Sequence, residues 1–253
     1  QAGTATITVN PLPTATITGT TAVCVGAASP TLTFTGANGT APYTFTYNIN
    51  GGSAQTVTSV GNTATVSAPT ATAGSFAYNL VSVQDASSTA CTQVQVGVAT
   101  ITVNPLPTAT ISGTTAVCIN APQPALTFTG AAGTAPYTFT YNINGGANLT
   151  VTSVGTTATV NAPTTTSGTF TYNLVSVQDA SSTACVQAQV GSATITVNPM
   201  PTATISGTTA VCVGAAQPTV TFTGAAGTAP YTFTYTINGG ANLTVTSVGN
   251  TAT

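Results

Sequence analysis

Apolar and polar residues alternate in short bursts along the whole chain, with glycine, proline and asparagine between the bursts. Alternation over four to eight residues puts one face of a strand against a core and the other in water. Between residues 14 and 103 it predicts seven strands, at 14–19, 31–36, 43–49, 54–60, 63–68, 75–84 and 92–103. Leu32 and Phe34 share one face with threonines between them. Tyr43, Phe45, Tyr47 and Ile49 form a second apolar row, and Phe76, Tyr78 and Leu80 a third. Even spacing places these aromatics in a core; a sugar-stacking platform beside Asn48 and Asn50 is the rival reading. Val94, Val96 and Val98 share one parity while Ile101 and Val103 share the other, so a β-bulge is expected near Gly97 to Thr100. Asn38-Gly39 and Asn50-Gly51-Gly52 supply the positive φ values that tight turns require. No run approaches the roughly 18 apolar residues of a membrane helix, so membrane insertion is not expected.

The pattern recurs. Pro11-Leu12-Pro13 returns as Pro105-Leu106-Pro107 and as Pro199-Met200-Pro201, each time 94 residues on. The first two copies differ at 19 of 94 positions and have no insertion between them. The expected organisation is therefore 1–10 as the final strand of a preceding repeat, 11–104 and 105–198 as complete repeats, and 199–253 as a partial one. Chain ends that ignore the repeat boundaries suggest a longer array. Seven short strands in 94 residues predict an all-β fold of tandem immunoglobulin-like sandwiches. Pro11, Pro13, Pro105, Pro107, Pro199 and Pro201 remove backbone donors and restrict φ where one repeat passes to the next. With almost no flexible linker between repeats, these stiff joints predict a rod.

Composition removes most chemistry. The 253 residues include no Lys, Arg or His, and their only charged side chains are Asp85 and Asp179. Nothing can neutralise phosphates, so nucleic acid is not a partner. No base is present to activate a nucleophile, and no paired carboxylates could work as acid and base or cleave a glycoside. Neither an enzyme nor a cofactor is expected. A mean hydropathy of +0.36 with 42% hydrophobic residues argues against disorder. The 61 threonines suit the wet faces of strands.

The cysteines and aspartates repeat as well. Cys24 and Cys91 lie 67 residues apart, as do Cys118 and Cys185. The spacing predicts two disulfides, Cys24–Cys91 and Cys118–Cys185, each fastening one end of a sandwich. Cys212 would pair with position 279, beyond the chain. Buried free cysteines are the alternative, followed by metal ligation, for which two Cys and no His per repeat are a poor set. Asp85 and Asp179 follow Val-Gln at a strand end, where a lone acid makes a structural Asx turn. Weak calcium binding is the rival, with most ligands then backbone, amide or water oxygens.

The run Ala99-Thr100-Ile101-Thr102-Val103-Asn104, followed by Pro105-Leu106-Pro107-Thr108-Ala109-Thr110-Ile111-Ser112-Gly113 and then Val117-Cys118, resembles a known group. It is similar to the tandem immunoglobulin-like or PKD-like repeats of large secreted surface proteins of Bacteroidetes, including gliding-type adhesins exported by type IX secretion. The aspartate-then-cysteine segment from Val177 to Cys185 resembles the same repeats. The resemblance implies an extracellular bacterial cell-surface location and a stalk or adhesive fibre.

Together these readings predict a structural repeat region of an extracellular stalk or filament. The alternative is an adhesin whose repeats themselves bind glycans or neighbouring surfaces. Expected partners are neighbouring repeats of the same chain, other copies through lateral self-association, and a glycan or cell surface.

Overall fold

The computed structural model describes residues 3–253, so the first two residues of the expected 1–10 strand lie outside it. The first unit contains β1 (Thr14–Thr18), β2 (Thr21–Cys24), β3 (Thr31–Ala37), β4 (Thr44–Ile49), β5 (Gln55–Thr58), β6 (Thr63–Ser67), β7 (Gly74–Gln84) and β8 (Thr92–Asn104). They form two sheets, ordered β1-β3-β6 and β2-β8-β7-β4-β5. The side chains from the inner faces of both sheets meet in one core. Leu32, Phe34, Phe45, Val83 and Ile101 are fully buried there, with Tyr43, Tyr47 and Tyr78 beside them. Phe34 lies 5.6 Å from the Phe45 ring and 5.1 Å from that of Tyr47. Each such side chain contributes about 1.5–3 kcal/mol on leaving water. The aromatic row is therefore core and offers no exposed platform for a sugar.

Seven of the eight strands coincide with alternating runs in the sequence. The eighth, β2, is short and does not alternate, and it forms because β8 presents an edge to it. The two pair in parallel, Thr21 opposite Ile101 and Cys24 opposite Asn104. The β7–β8 ladder shifts register between Leu80, opposite Gly97, and Ser82, opposite Val94, so Gln95 and Val96 together face Val81. The bulge thus falls just before the expected stretch. It leaves Val94 and Val96 exposed and turns Gln95 inward, where its Oε1 accepts the Ala15 N–H at 3.1 Å.

The second unit repeats the arrangement with β9 (Thr108–Ser112), β10 (Thr115–Cys118), β11 (Ala125–Ala131), β12 (Thr138–Ile143), β13 (Leu149–Thr152), β14 (Thr157–Asn161), β15 (Gly168–Gln178), β16 (Val186–Ala188) and β17 (Ser192–Asn198). The last strand of the first unit is here divided into β16 and β17. The core again joins the inner faces of two sheets, and it shares no residue with the first. Gly36 and Gly130 let tyrosine rings lie directly on the backbone, since a Cβ at either position would sit 2.5 Å from Tyr43 or Tyr137.

The third unit has β18 (Thr202–Ser206), β19 (Thr221–Ala225), β20 (Thr232–Tyr235), β21 (Leu243–Thr246) and β22 (Thr251–Ala252). Its buried cluster contains only Tyr231, Phe233 and Ala252. Residues 3–10 form no strand, contrary to the expectation. Their later copies are held in the sheet by β7 and β15, and the same partners one repeat earlier would be numbered below 1. The protein is an all-β chain of tandem immunoglobulin-like sandwich units.

Candidate functional site at the joint between units

The two cysteines of one unit lie at opposite ends of its sandwich. Cys24 ends β2 opposite Asn104, the last residue of β8. Cys91 immediately precedes Thr92, the first residue of β8. The 13 residues of that strand separate the cysteines by about 40 Å at roughly 3.3 Å per residue. A disulfide needs Cα atoms within about 7 Å. The expected Cys24–Cys91 and Cys118–Cys185 bridges are therefore not formed. The structure joins Cys24 of the first unit to Cys185 of the second, with Cα atoms 5.7 Å apart and 161 residues between them in sequence. That separation is one full repeat more than the spacing within a unit.

Local geometry places both ends of this bridge. The Val25 N–H donates to Asn104 O at 2.9 Å, carrying the β2–β8 pairing just past Cys24. On the other side, β15 ends at Gln178 and the chain turns through residues 179–185. Ala184 takes a φ of 48°, the left-handed region that side chains seldom adopt. The Ala184 N–H donates to Ser181 O and the Asp179 N–H to Cys185 O, closing the loop. Asp179 is buried, and its Oδ1 accepts from the Cys185 N–H at 2.8 Å and the Ser181 hydroxyl at 2.8 Å. Its Oδ2 accepts from the Thr134 N–H at 3.0 Å. Thr183 completes the joint: its Oγ1 accepts from Asn104 Nδ2 at 2.9 Å and lies 3.1 Å from Cys185 Sγ and 3.4 Å from Cys24 Sγ. Asn104 thus docks the end of one unit onto the loop that carries the next unit's cysteine.

Asp85 holds the corresponding loop of the first unit. Its Oδ2 accepts the Thr40 N–H at 3.1 Å, and its Oδ1 accepts the Ser87 N–H at 3.3 Å and hydroxyl at 2.7 Å. The bond to the residue two positions on is an Asx turn. Burial alone pushes the Asp85 carboxyl up, but the Ser87 hydroxyl and the Thr40, Ser87 and Cys91 backbone donors together hold it below its ordinary value. These donors occupy the oxygens that a calcium ion would need.

Among the joint prolines, Pro13 and Pro107 are buried while Pro11, Pro105, Pro199 and Pro201 are exposed. Pro13 packs near Gly39, whose Cβ position would lie 3.1 Å from the Pro13 Cβ. The prolines occupy the three residues between the end of β8 at Asn104 and the start of β9 at Thr108. Cys91, Cys118 and Cys212 are free, Cys118 and Cys212 being exposed. The sequence reading missed the bonding roles of Asn104 and Thr183. Their recurrence as Asn10 and Thr89 was the signal that could have found them.

No protein-family model matches this chain, and no curated protein sequence does. Among solved structures it is similar to the fibronectin(III)-like modules of Clostridium thermocellum CbhA, at 16% identity and a TM-score of 0.31, over 73% of this chain and 94% of that one. It is also similar to a tetra-tandem repeat in the extending region of a large adhesion protein, at 17% identity and a TM-score of 0.34, over 95% of this chain and 64% of that one. The human OSCAR ligand-binding domain matches at 14% identity and a TM-score of 0.31, over 75% of this chain and all of that one. The chain's own sheets define its class, an all-β protein of tandem β-sandwich repeats.

Proposed function

We propose that the chain is a load-bearing segment of an extracellular stalk or filament on a bacterial surface, divided into units at 11–104, 105–198 and 199–253. The observation that carries this reading is the Cys24–Cys185 bridge, which crosses the Pro105-Leu106-Pro107 joint and bonds one sandwich covalently to the next. A bridge inside a sandwich stabilises that sandwich, whereas a bridge between sandwiches holds their relation and transmits tension. Persistence of a disulfide requires an oxidising compartment, and the absence of Lys and Arg denies trypsin-like proteases a cleavage site. The resemblance to Bacteroidetes surface repeats supports the same location and export by type IX secretion. Near-zero charge leaves little repulsion between copies, which favours lateral association.

Electron microscopy of the native protein tests this reading. Slender particles with a regular axial repeat of about 40 Å, the span of one long strand at roughly 3.3 Å per residue, are the expected result. Compact particles would overturn it. A glycan array with purified repeats tests the adhesin alternative, to which the buried aromatics lend no support.

A further inference from the structure

The Cys24–Cys185 bridge has a nearly identical but unfilled counterpart in the first unit. Around Cys185, Asn104 Nδ2 donates to Thr183 Oγ1 at 2.9 Å and Thr183 Oγ1 lies 3.1 Å from the sulfur. Around Cys91, Asn10 Nδ2 donates to Thr89 Oγ1 at 2.9 Å and Thr89 Oγ1 lies 3.0 Å from the sulfur. Ala90 and Ala184 share a φ of 48°. The difference is in what the cysteine itself has gained. Bonded Cys185 is buried and its N–H donates to the aspartate at 2.8 Å, while free Cys91 is half-buried and its N–H also lies 3.5 Å from Ser87 Oγ. Cys118 is a counterpart of the other half. It lies opposite Asn198 as Cys24 lies opposite Asn104, and it is exposed.

We propose that Cys91 and Cys118 are two halves of the same inter-unit staple. Cys91 bonds the first cysteine of a preceding unit, whose end is the Asn10 segment, and Cys118 bonds the second cysteine of a following unit. Each bridge forms when two thiols lose two protons to water and pass two electrons to a disulfide oxidant, an oxidised dithiol or glutathione disulfide, which is reduced to its thiols by exchange. The bridges overlap, because each starts inside the span of the one before. Every peptide bond of the array is then bypassed by at least one disulfide, so a single proteolytic nick never severs the chain. Stretching is limited as well. The shortest covalent path crosses a bridge and then the 27 residues from Cys185 to Cys212. Even with every sandwich unfolded, two units extend to only about 100 Å at roughly 3.5 Å per residue, close to their folded length. Bridges within units would allow about 200 Å, and no bridges about 660 Å.

The inference uses the stalk reading only in requiring units on both sides of a joint. Its test is a non-reducing peptide map of the native protein, with thiols alkylated first and cleavage by chymotrypsin after Tyr, Phe and Leu. The expected map joins the Cys91 peptide to a Val-Cys peptide of another unit, joins the Cys118 peptide to an Ala-Cys peptide of another unit, and shows no alkylation at either residue. Alkylated Cys91 and Cys118, or a Cys24–Cys91 peptide, overturns the proposal. Non-reducing electrophoresis identifies the source of the partner: one band at the chain's own mass means the same chain, and a ladder means a second copy. Single-molecule extension of the native protein should show about 100 Å per two units, rising more than six-fold on reduction. An unchanged contour after reduction would contradict the staple even where electron microscopy shows slender particles.

Discussion

The first and third units have nearly the same sequence through their first six strands, yet they do not reach the same state. In the first, Leu32 and Phe34 are fully buried, and Thr21–Cys24 forms a strand. In the third, Val220 is exposed, Phe222 is only half-buried, and residues 208–212 form no strand. What sets the first unit apart is the pair of long strands β7 and β8, of which residues 199–253 contain no counterpart. Without β8 there is no edge for the parallel pairing that positions the first cysteine. The same positions are therefore core or surface, strand or coil, according to two strands that begin 40 or more residues further along the chain.

The largest expected effect comes from the core. Phe128→Ala should cost the second unit about 3–5 kcal/mol in urea unfolding, because the cavity cannot collapse between two closed sheets. Phe222→Ala in the third unit should cost less than half as much, since that ring is already partly wet. Equal losses would show that the third unit is closed in solution.

Removing the Cys24–Cys185 bridge alone, by Cys24→Ser together with Cys185→Ser, should rank next. A disulfide closing a long loop is worth about 2–5 kcal/mol, so its loss should lower the unfolding midpoints of the first two units and leave the third unmoved. A parallel fall in all three would break the comparison.

Overpacking should have a smaller effect. Gly130→Ala drives a methyl group into the Tyr137 ring at 2.5 Å and should cost about 1–3 kcal/mol. Gly224→Ala meets Tyr231 at the same distance, but that ring borders an open groove into which it can shift, so calorimetry should record a smaller loss.

The smallest effect should be acid sensitivity. The Asp85 carboxyl is held below its ordinary value in the folded state. Its contribution is present above the unfolded value of about 3.9 and disappears as the pH falls through the folded value. Thermal melts between pH 5 and 2 should show the first unit losing stability in that window, and Asp85→Asn should flatten the loss. In the second unit the Asp179 carboxylate stands against Gly133 as Asp85 stands against Gly39.

Most of the sandwich was legible along the chain, because burial on one face of a strand leaves its mark every second residue. Leu32, Phe34, Phe45 and Tyr47 stand out for that reason. β2 was not legible, since a four-residue edge strand is held by its neighbour's backbone and needs no pattern of its own. Gln95 was equally hidden, as a bulge turns a polar side chain inward where alternation predicts only valines.

Residue order and chemistry alone establish the repeat, the all-β character, the tight turns at Asn38-Gly39 and Asn50-Gly51, and a surface nearly without charge. These are local properties, set by side-chain period, backbone freedom at glycine and asparagine, and the absence of ionisable groups. The partner of each cysteine is not local. Sixty-seven residues of sequence separate Cys24 from Cys91, but a 13-residue strand holds them at opposite ends of one sandwich, and the next sandwich brings Cys185 to Cys24. Distance in space, which only the packed sheets define, decided which sulfurs meet.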